Sequence, residues 1–233
     1  MKLYNYCLIF LAVFLFISCE KETEDLSRST YYVSFNLKGE NPLLVPVGES
    51  FTDPGVIATE KGKDVTSSIT VESDVDATVM GKYSIVYSSV NVDGLKSKAV
   101  REVYVCNPLV TTDISGTYTV QAGTHRIAFA SGARVDYGGN SVTITRVAPG
   151  FFYVSDLFGV YYEKRPGYGP RYAMTGYIAL NEDNTIDLVS SSVAAWGDSL
   201  DTIKDGVYNP VTGEISWKAE YVESYSFNVT LKK

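Results

Sequence analysis

Two-residue alternation of apolar and polar side chains recurs throughout this chain, whereas no window of about 12 residues past the N-terminal leader sustains a 3.6-residue apolar period. In GKYSIVYSSV, Gly81–Val90, the side chains of Tyr83, Ile85 and Tyr87 alternate with Ser84, Val86 and Ser88, so one face can enter a core. Tyr, Val, Thr and Ser are strand formers, and 19 glycines supply turns. The expected fold class is all-β.

The N-terminus decides which residues belong to the mature protein. Lys2 precedes a continuous apolar run, Tyr6 to Ile17, that is short of the roughly 20 residues a membrane span needs. It reads as a signal peptide, residues 1–18. The junction FISC, Phe16 to Cys19, resembles the lipobox of bacterial lipoproteins, with Phe16 where Leu is usual. That resemblance implies lipidation of Cys19; the plainer reading is an ordinary leader with an incidental cysteine. The acidic, Ser/Thr-rich segment 19–30 has too little apolar surface to fold alone and is expected to be a tether. It resembles the acidic export tag of Bacteroidota surface lipoproteins, which implies an outer-membrane, outward-facing location.

Removing residues 1–18 takes away Lys2 and no carboxylate, so the net charge moves from −7 to −8. An acidic surface without a basic block repels phosphate backbones, and no nucleic-acid partner is expected. With Cys7 in the leader and Cys19 carrying lipid, Cys106 is the last thiol, which leaves no intramolecular disulfide. At the end of an apolar strand it reads as a small buried hydrophobe.

Residues 31–106 form a first unit with strands expected at Tyr32–Lys38, Gly55–Glu60, Ser68–Ser73, Gly81–Val90 and Lys98–Cys106, separated by Asp/Gly turns. GESFTDPGV, KDVTSSI, MGKYSIVYSSV and REVYV together resemble the bacterial immunoglobulin-like domain of surface proteins. The resemblance implies a β-sandwich that serves as spacer or adhesive module. Asp53, Asp64 and Asp93 each lie in a turn that favours Asp, which accounts for them without a metal.

Residues 107–113 read as a short polar linker and 114–233 as a second β domain. Its strands are expected at Gly116–Ala122, Arg126–Ala130, Asn140–Val147, Gly150–Asp156, Ala173–Leu180, Thr185–Ser190, Gly213–Tyr221 and Ser224–Lys233. Short consecutive connections favour an antiparallel meander, closed or nearly closed into a barrel. ISGTYTV and SYSFNVTLKK resemble lipocalin-like C-terminal domains of Bacteroidota lipoproteins. The whole arrangement is similar to two-domain surface lipoproteins of polysaccharide-utilisation systems.

The inventory is poor for catalysis, with one histidine, His125, and neither a nucleophile elbow nor a phosphate-cradling loop. Among 27 acids, a glycosidase pair from Asp156, Asp198, Asp201 and Asp205 carries no specific signal. No enzyme activity, cofactor or metal is expected.

A binding function has more support. FFYVSDLFGVYYEKRPGYGPRY, Phe151–Tyr172, holds eight aromatic rings in 22 residues. Its first half reads as a strand with rings in the core. Its breaker-rich second half presents Tyr161, Tyr162, Arg165, Tyr168, Arg171 and Tyr172, and the loop at 194–202 adds Trp196 and Asp198. Flat rings with polar edges match the apolar faces and hydroxyl rims of sugars. The expected function is that of a non-catalytic, surface-anchored lipoprotein binding a polysaccharide or oligosaccharide. The alternative is a structural or protein-interaction subunit of an outer-membrane transport complex; a lipocalin-like carrier would require an empty barrel.

Overall fold

The computed structural model describes residues 29–233; the leader, Cys19 and most of the acidic segment lie outside the described residues. Strands dominate, as the alternation requires. The first domain contains β1 (Ser34–Leu37), β2 (Leu43–Pro46), β3 (Val56–Glu60), β4 (Lys63–Asp64), β5 (Thr70–Ser73), β6 (Gly81–Val90) and β7 (Lys96–Cys106). They form two sheets, ordered β1-β3-β4 and β2-β7-β6-β5, with β2 parallel to β7 and the other pairs antiparallel. Alternate residues of β6 and β7 point between the sheets, so Ile85, Tyr87, Val103 and Val105 meet Val45 and Val56 in one core. This is an Ig-like sandwich.

One charged side chain lies inside that sandwich. Arg101 is fully buried and donates to the carbonyl oxygens of Lys38 at 2.5 Å, Gly55 at 3.0 Å and Glu40, with the Asp53 carboxylate 3.4 Å away. Asp53 also accepts the Tyr87 hydroxyl at 2.7 Å. Its carboxylate is thus occupied by the turn and by Arg101.

The second domain contains β8 (Gly116–Val120), β9 (His125–Ala128), β10 (Arg134–Asp136), β11 (Ser141–Ala148), β12 (Phe151–Val154), β13 (Met174–Leu180), β14 (Ile186–Val193), β15 (Thr202–Asn209), β16 (Glu214–Tyr221) and β17 (Tyr225–Lys232). The path β8-β11-β12-β13-β14 is antiparallel throughout, as is β15-β16-β17, and β17 returns to β8. The curved sheet is thereby an incomplete barrel. Its seam between β14 and β15 carries a single bridge, Thr185 opposite Val207. The hairpin β9–β10 stands outside this ring, paired to the first half of β17.

Membership of the ring differs from the sequence expectation in two strands, one gained and one lost. β15 was not foreseen, while the expected strand at Arg126–Ala130 lies in the outer hairpin. A bulge between Lys204 and Val207 breaks the two-residue alternation of β15, with Asp205 in the left-handed region. Gly206 is required there because a Cβ would sit 2.3 Å from the Ile186 carbonyl oxygen. The bulge brings β15 against β14 at the seam.

The barrel interior is filled. Phe152 and Val154 point inward with Tyr118, Ile144, Ile178, Trp217 and Phe227. The neighbouring residues of β12, Phe151 and Tyr153, point out of the barrel, so of the rings expected in a core Phe152 lies inside the barrel, Phe151 is buried outside it and Tyr153 is only half-buried. Phe151 is buried against Tyr104, Cys106 and Ala148, where the sandwich meets the barrel, and Tyr153 packs outside on Tyr177. The segment 107–113, expected to be a polar link, sends Val110 into the barrel core.

Candidate functional site

The aromatic stretch closes one end of the barrel. After Val154 the chain leaves the sheet at Asp156 and rejoins it at Met174. Both departure and return are held by one carboxylate: Asp156 Oδ1 accepts the N–H of Phe158 at 2.8 Å and of Met174 at 3.3 Å. Leu157 N–H donates to the Met174 carbonyl at 2.7 Å, so the two ends of the excursion are also joined through backbone. The barrel wall adds Trp217, whose indole N–H donates to the Leu157 carbonyl at 2.9 Å. From the outer hairpin's trailing segment, the Tyr137 hydroxyl donates to the Phe158 carbonyl at 2.6 Å.

With its polar groups thus satisfied, Leu157–Val160 can insert as a plug. Phe158 packs 4.2 Å from Phe227 and 5.1 Å from Tyr221, centroid to centroid. Val160 adopts φ of 66°, a conformation that costs a β-branched residue about 1–3 kcal/mol and persists only where packing enforces it. The filled interior and this plug overturn the carrier alternative.

Asp156 is almost fully buried, and its Oδ2 has no partner. Burial pushes its carboxyl up to about 7, against the opposing pull of the N–H bonds from Phe158 and Met174; Glu163 adds a smaller upward push. Tyr137 and Tyr162 are raised in the same direction, mainly by burial.

Beyond the plug, α1 (Tyr161–Lys164) is a single turn whose first two residues face inward. Tyr161 and Tyr162 are therefore buried, which corrects the expectation that they belong to the exposed face. Tyr161 lies 5.5 Å from Phe227, and Arg126 stands 5.1 Å from its ring centre. Tyr162 serves as the floor on which the outer rings rest.

Those outer rings come from two loops. The return through Pro166–Gly169 ends in a 3₁₀ turn, Pro170–Tyr172, and places Tyr168 6.2 Å from Tyr162 with nearly parallel rings. The loop after β14 is closed by Gly197 N–H to Val193 O at 2.7 Å and Val193 N–H to Asp198 O at 2.9 Å. Ala195 N–H donates to the Arg171 carbonyl at 3.0 Å, joining the two loops. Trp196 consequently sits 4.8 Å from Tyr172 and 4.9 Å from Tyr162, edge to face, and lies nearly parallel to Tyr221 at 6.3 Å.

Of the residues singled out from sequence, Tyr168, Tyr172 and Trp196 form one contiguous surface. Tyr168 is 54% exposed and Trp196 40%, while Tyr172 is half-buried between them. Arg165 and Arg171 are exposed on the same loop. Asp198 is exposed, but its Oδ2 accepts the Tyr221 hydroxyl at 2.7 Å, so it braces the loop. Phe158 and Tyr221, which back the surface, carry no local sequence signal because each meets its partners across the barrel. His125 is remote in role: its Nδ1 lies 2.7 Å from the Gly123 carbonyl oxygen.

Residues 35–105 match the family model of the bacterial surface protein Ig-like domain. Residues 107–233 match a model described as "-like, C-terminal domain". No curated protein matches the chain. Among solved structures, the lipoprotein BT2262 from Bacteroides thetaiotaomicron is 37% identical, with 87% of this chain and 100% of that chain covered and a TM-score of 0.50. A structure of CBM51-2 in complex with GlcNAc and INT domains, from Clostridium perfringens ZmpB, is 15% identical over 86% of this chain and 44% of that chain. Its TM-score of 0.28 is too low to bear on fold or function. At 37% identity over the whole of that solved chain, this chain belongs to the same family as the Bacteroides lipoprotein, joining a surface Ig-like domain to the C-terminal domain of the second family model.

Proposed function

We propose that this protein is a non-catalytic, glycan-binding lipoprotein of the outer-membrane surface, serving a polysaccharide-utilisation system. In this reading residues 31–106 are the spacer, residues 114–233 the binding domain and Cys19 the lipidation site. The observation that carries it is the platform of Tyr168, Tyr172 and Trp196, exposed on top and braced from below by Tyr162 and Tyr221.

The physical reason is pre-organisation. Rings already fixed by edge and face contacts lose little rotamer freedom on binding, and each offers an apolar face to the C–H side of a pyranose. Arg165 and Arg171 supply donors at the edge for hydroxyls or carboxylates. Arg171 is tied to the Trp196 loop by its own carbonyl.

Affinity electrophoresis of the soluble chain from residue 20 against a polysaccharide panel tests the reading. At least one polysaccharide should retard it, and Trp196→Ala should weaken that binding by about tenfold or more, equivalent to about 1.4 kcal/mol. Retardation by none, or unchanged binding in Trp196→Ala, would overturn it. Capture of an outer-membrane protein by this face instead would favour the interaction-subunit alternative.

A further inference from the structure

The sandwich end farthest from the barrel carries a second exposed apolar cluster. β7 starts at that end, at Lys96, and finishes at Cys106 against Phe151, so its eleven residues span about 33 Å between the two ends. The described chain also enters the fold there. Asn91 Nδ2 donates to the Tyr31 carbonyl at 2.8 Å, fastening the entering segment to the β6–β7 turn.

Three segments build this end into one surface. Asn91 is buried, and its Oδ1 accepts the N–H of Leu95 at 2.7 Å and of Asp93 at 3.1 Å, fixing the turn. Val92 N–H donates to Glu60 Oε1 at 3.2 Å, and Lys61 Nζ lies 5.0 Å from the Tyr31 ring centre. Around these bonds Tyr31, Tyr32, Val90, Val92 and Leu95 are exposed, Tyr32 to 62% and Val92 to 76%. Segments 60–64 and 90–98 carry four lysines, Lys61, Lys63, Lys96 and Lys98, against three carboxylates. With Glu72 beside Lys96 the count is even, so in a chain of net charge −7 this end is close to neutral.

We propose that this end is a membrane-contact surface, whose tyrosines and valines seat in the headgroup region of the bilayer that holds the lipidated chain. The proposal rests on the lipoprotein reading, since Cys19 lies only ten residues before the first described residue. The twelve residues from Cys19 to Tyr31 reach at most about 43 Å when fully extended, so a lipid on Cys19 keeps this end within that distance of the bilayer. Tyr rings favour the membrane–water interface, and the lysines suit its phosphates while their stems cover apolar surface. Seated in this way, the sandwich stands upright and carries the barrel away from the lipid.

Hydroxyl-radical footprinting of the full-length protein in phosphatidylethanolamine vesicles containing phosphatidylglycerol tests this, with the soluble chain from residue 20 as reference. Mass spectrometry of the same sample reads whether Cys19 is acylated. With acylation present, oxidation of Tyr31 and Tyr32 should fall by about tenfold on vesicles, as burial at the interface requires, while Tyr168 and Trp196 stay as reactive as in the soluble chain. A Tyr32→Ser, Val92→Ser double variant should restore oxidation of Tyr31 on vesicles without changing the thermal midpoint. An acylated protein with unprotected Tyr31 and Tyr32 would overturn the contact surface alone. Absence of acylation would overturn the lipoprotein reading beneath it. Protection that develops in the soluble chain with rising concentration would assign the surface to a second copy and overturn the membrane contact.

Discussion

The Tyr221 hydroxyl donates to Asp198 Oδ2 at 2.7 Å, and Trp196, two residues before that carboxylate, lies nearly parallel to the same tyrosine ring. One side chain at the end of β16 therefore braces the Trp196 loop twice, through its ring and through its hydroxyl. Burial first, and then the hydrogen bond to Asp198, push the Tyr221 phenol far above its ordinary value, so it stays a donor at every pH of interest. Tyr221→Phe keeps the ring and removes only the bond. The loss should be about 1 kcal/mol in urea denaturation, because the exposed Asp198 can turn to water. If the platform binds glycan, affinity should fall several-fold while Tyr168 is untouched; unchanged affinity would show that the loop needs no such brace.

Asp156 gives the barrel a pH dependence of definite sign. Its carboxyl has an ordinary value of 3.8 and is raised to about 7 in the folded chain. Between these values the unfolded chain has released the proton and the folded chain still holds it. The stability this group contributes is thus complete below 3.8 and is lost as pH rises to about 7, by an amount on the order of 4 kcal/mol. Asp156→Asn should flatten that slope. Its carbonyl oxygen can still accept the Phe158 and Met174 N–H groups, and no charge has to form. Thermal midpoints should converge for the two proteins below about pH 4, where the carboxyl is protonated in both states, and favour the variant increasingly up to about pH 8, where the native carboxylate is ionised. Parallel midpoint curves for the two proteins would rule out this role for Asp156.

How much of this was legible in the sequence follows from how local each signal is. β6 reads directly from GKYSIVYSSV because its alternation is unbroken over the whole strand. β15 does not, because the Asp205–Gly206 bulge shifts the pattern by one residue, and the need for Gly206 comes from Ile186 on another strand. The rings of the platform could be named from composition and breakers, since Pro166, Gly167, Gly169 and Pro170 mark a loop. Which rings face water could not. Tyr161 and Tyr162 turn inward because a short helical turn follows the Phe158 plug, and that plug is held by Trp217 and Tyr137 from distant parts of the chain.

Arg101 is the corresponding point of dependence in the sandwich. Its guanidinium donates to three carbonyl oxygens, those of Lys38, Glu40 and Gly55, and so ties the segments around them together. Arg101→Met fits the space but takes the guanidinium from the Lys38 and Glu40 carbonyls and the cation from beside Asp53, whose carboxylate keeps only the Tyr87 hydroxyl and the Gly55 N–H. Breaking a buried charged cluster in this way should cost about 3–5 kcal/mol. Well below the melting range, proteolysis should then open the 34–60 region first by local opening, before any change in the barrel's tryptophan fluorescence, since both Trp196 and Trp217 lie in the second domain. Equal loss of the tryptophan signal would mean that the sandwich and barrel fail together.

On global melting, as distinct from local opening, Phe151 is the residue placed to couple the two domains. Its ring is fully buried, stacked 5.3 Å from Tyr177 on the barrel's outer face and 6.1 Å from Tyr104 on the sandwich. Cys106 and Ala148 complete the contact. Phe151→Ala removes the shared ring and leaves a cavity, a change that typically costs about 3–5 kcal/mol. Because the ring belongs to both units, the cost should fall on their docking as well as on the barrel. Calorimetry should resolve two transitions in the variant where the native chain gives one. Tyr153→Ala supplies the control: Tyr153 also packs on Tyr177, at 5.4 Å, but is not part of the contact with the sandwich. It should lower the barrel's midpoint while leaving a single transition. Two transitions in both variants would place the coupling in Tyr177 instead, and one transition in both would mean that Phe151 is not what joins the domains.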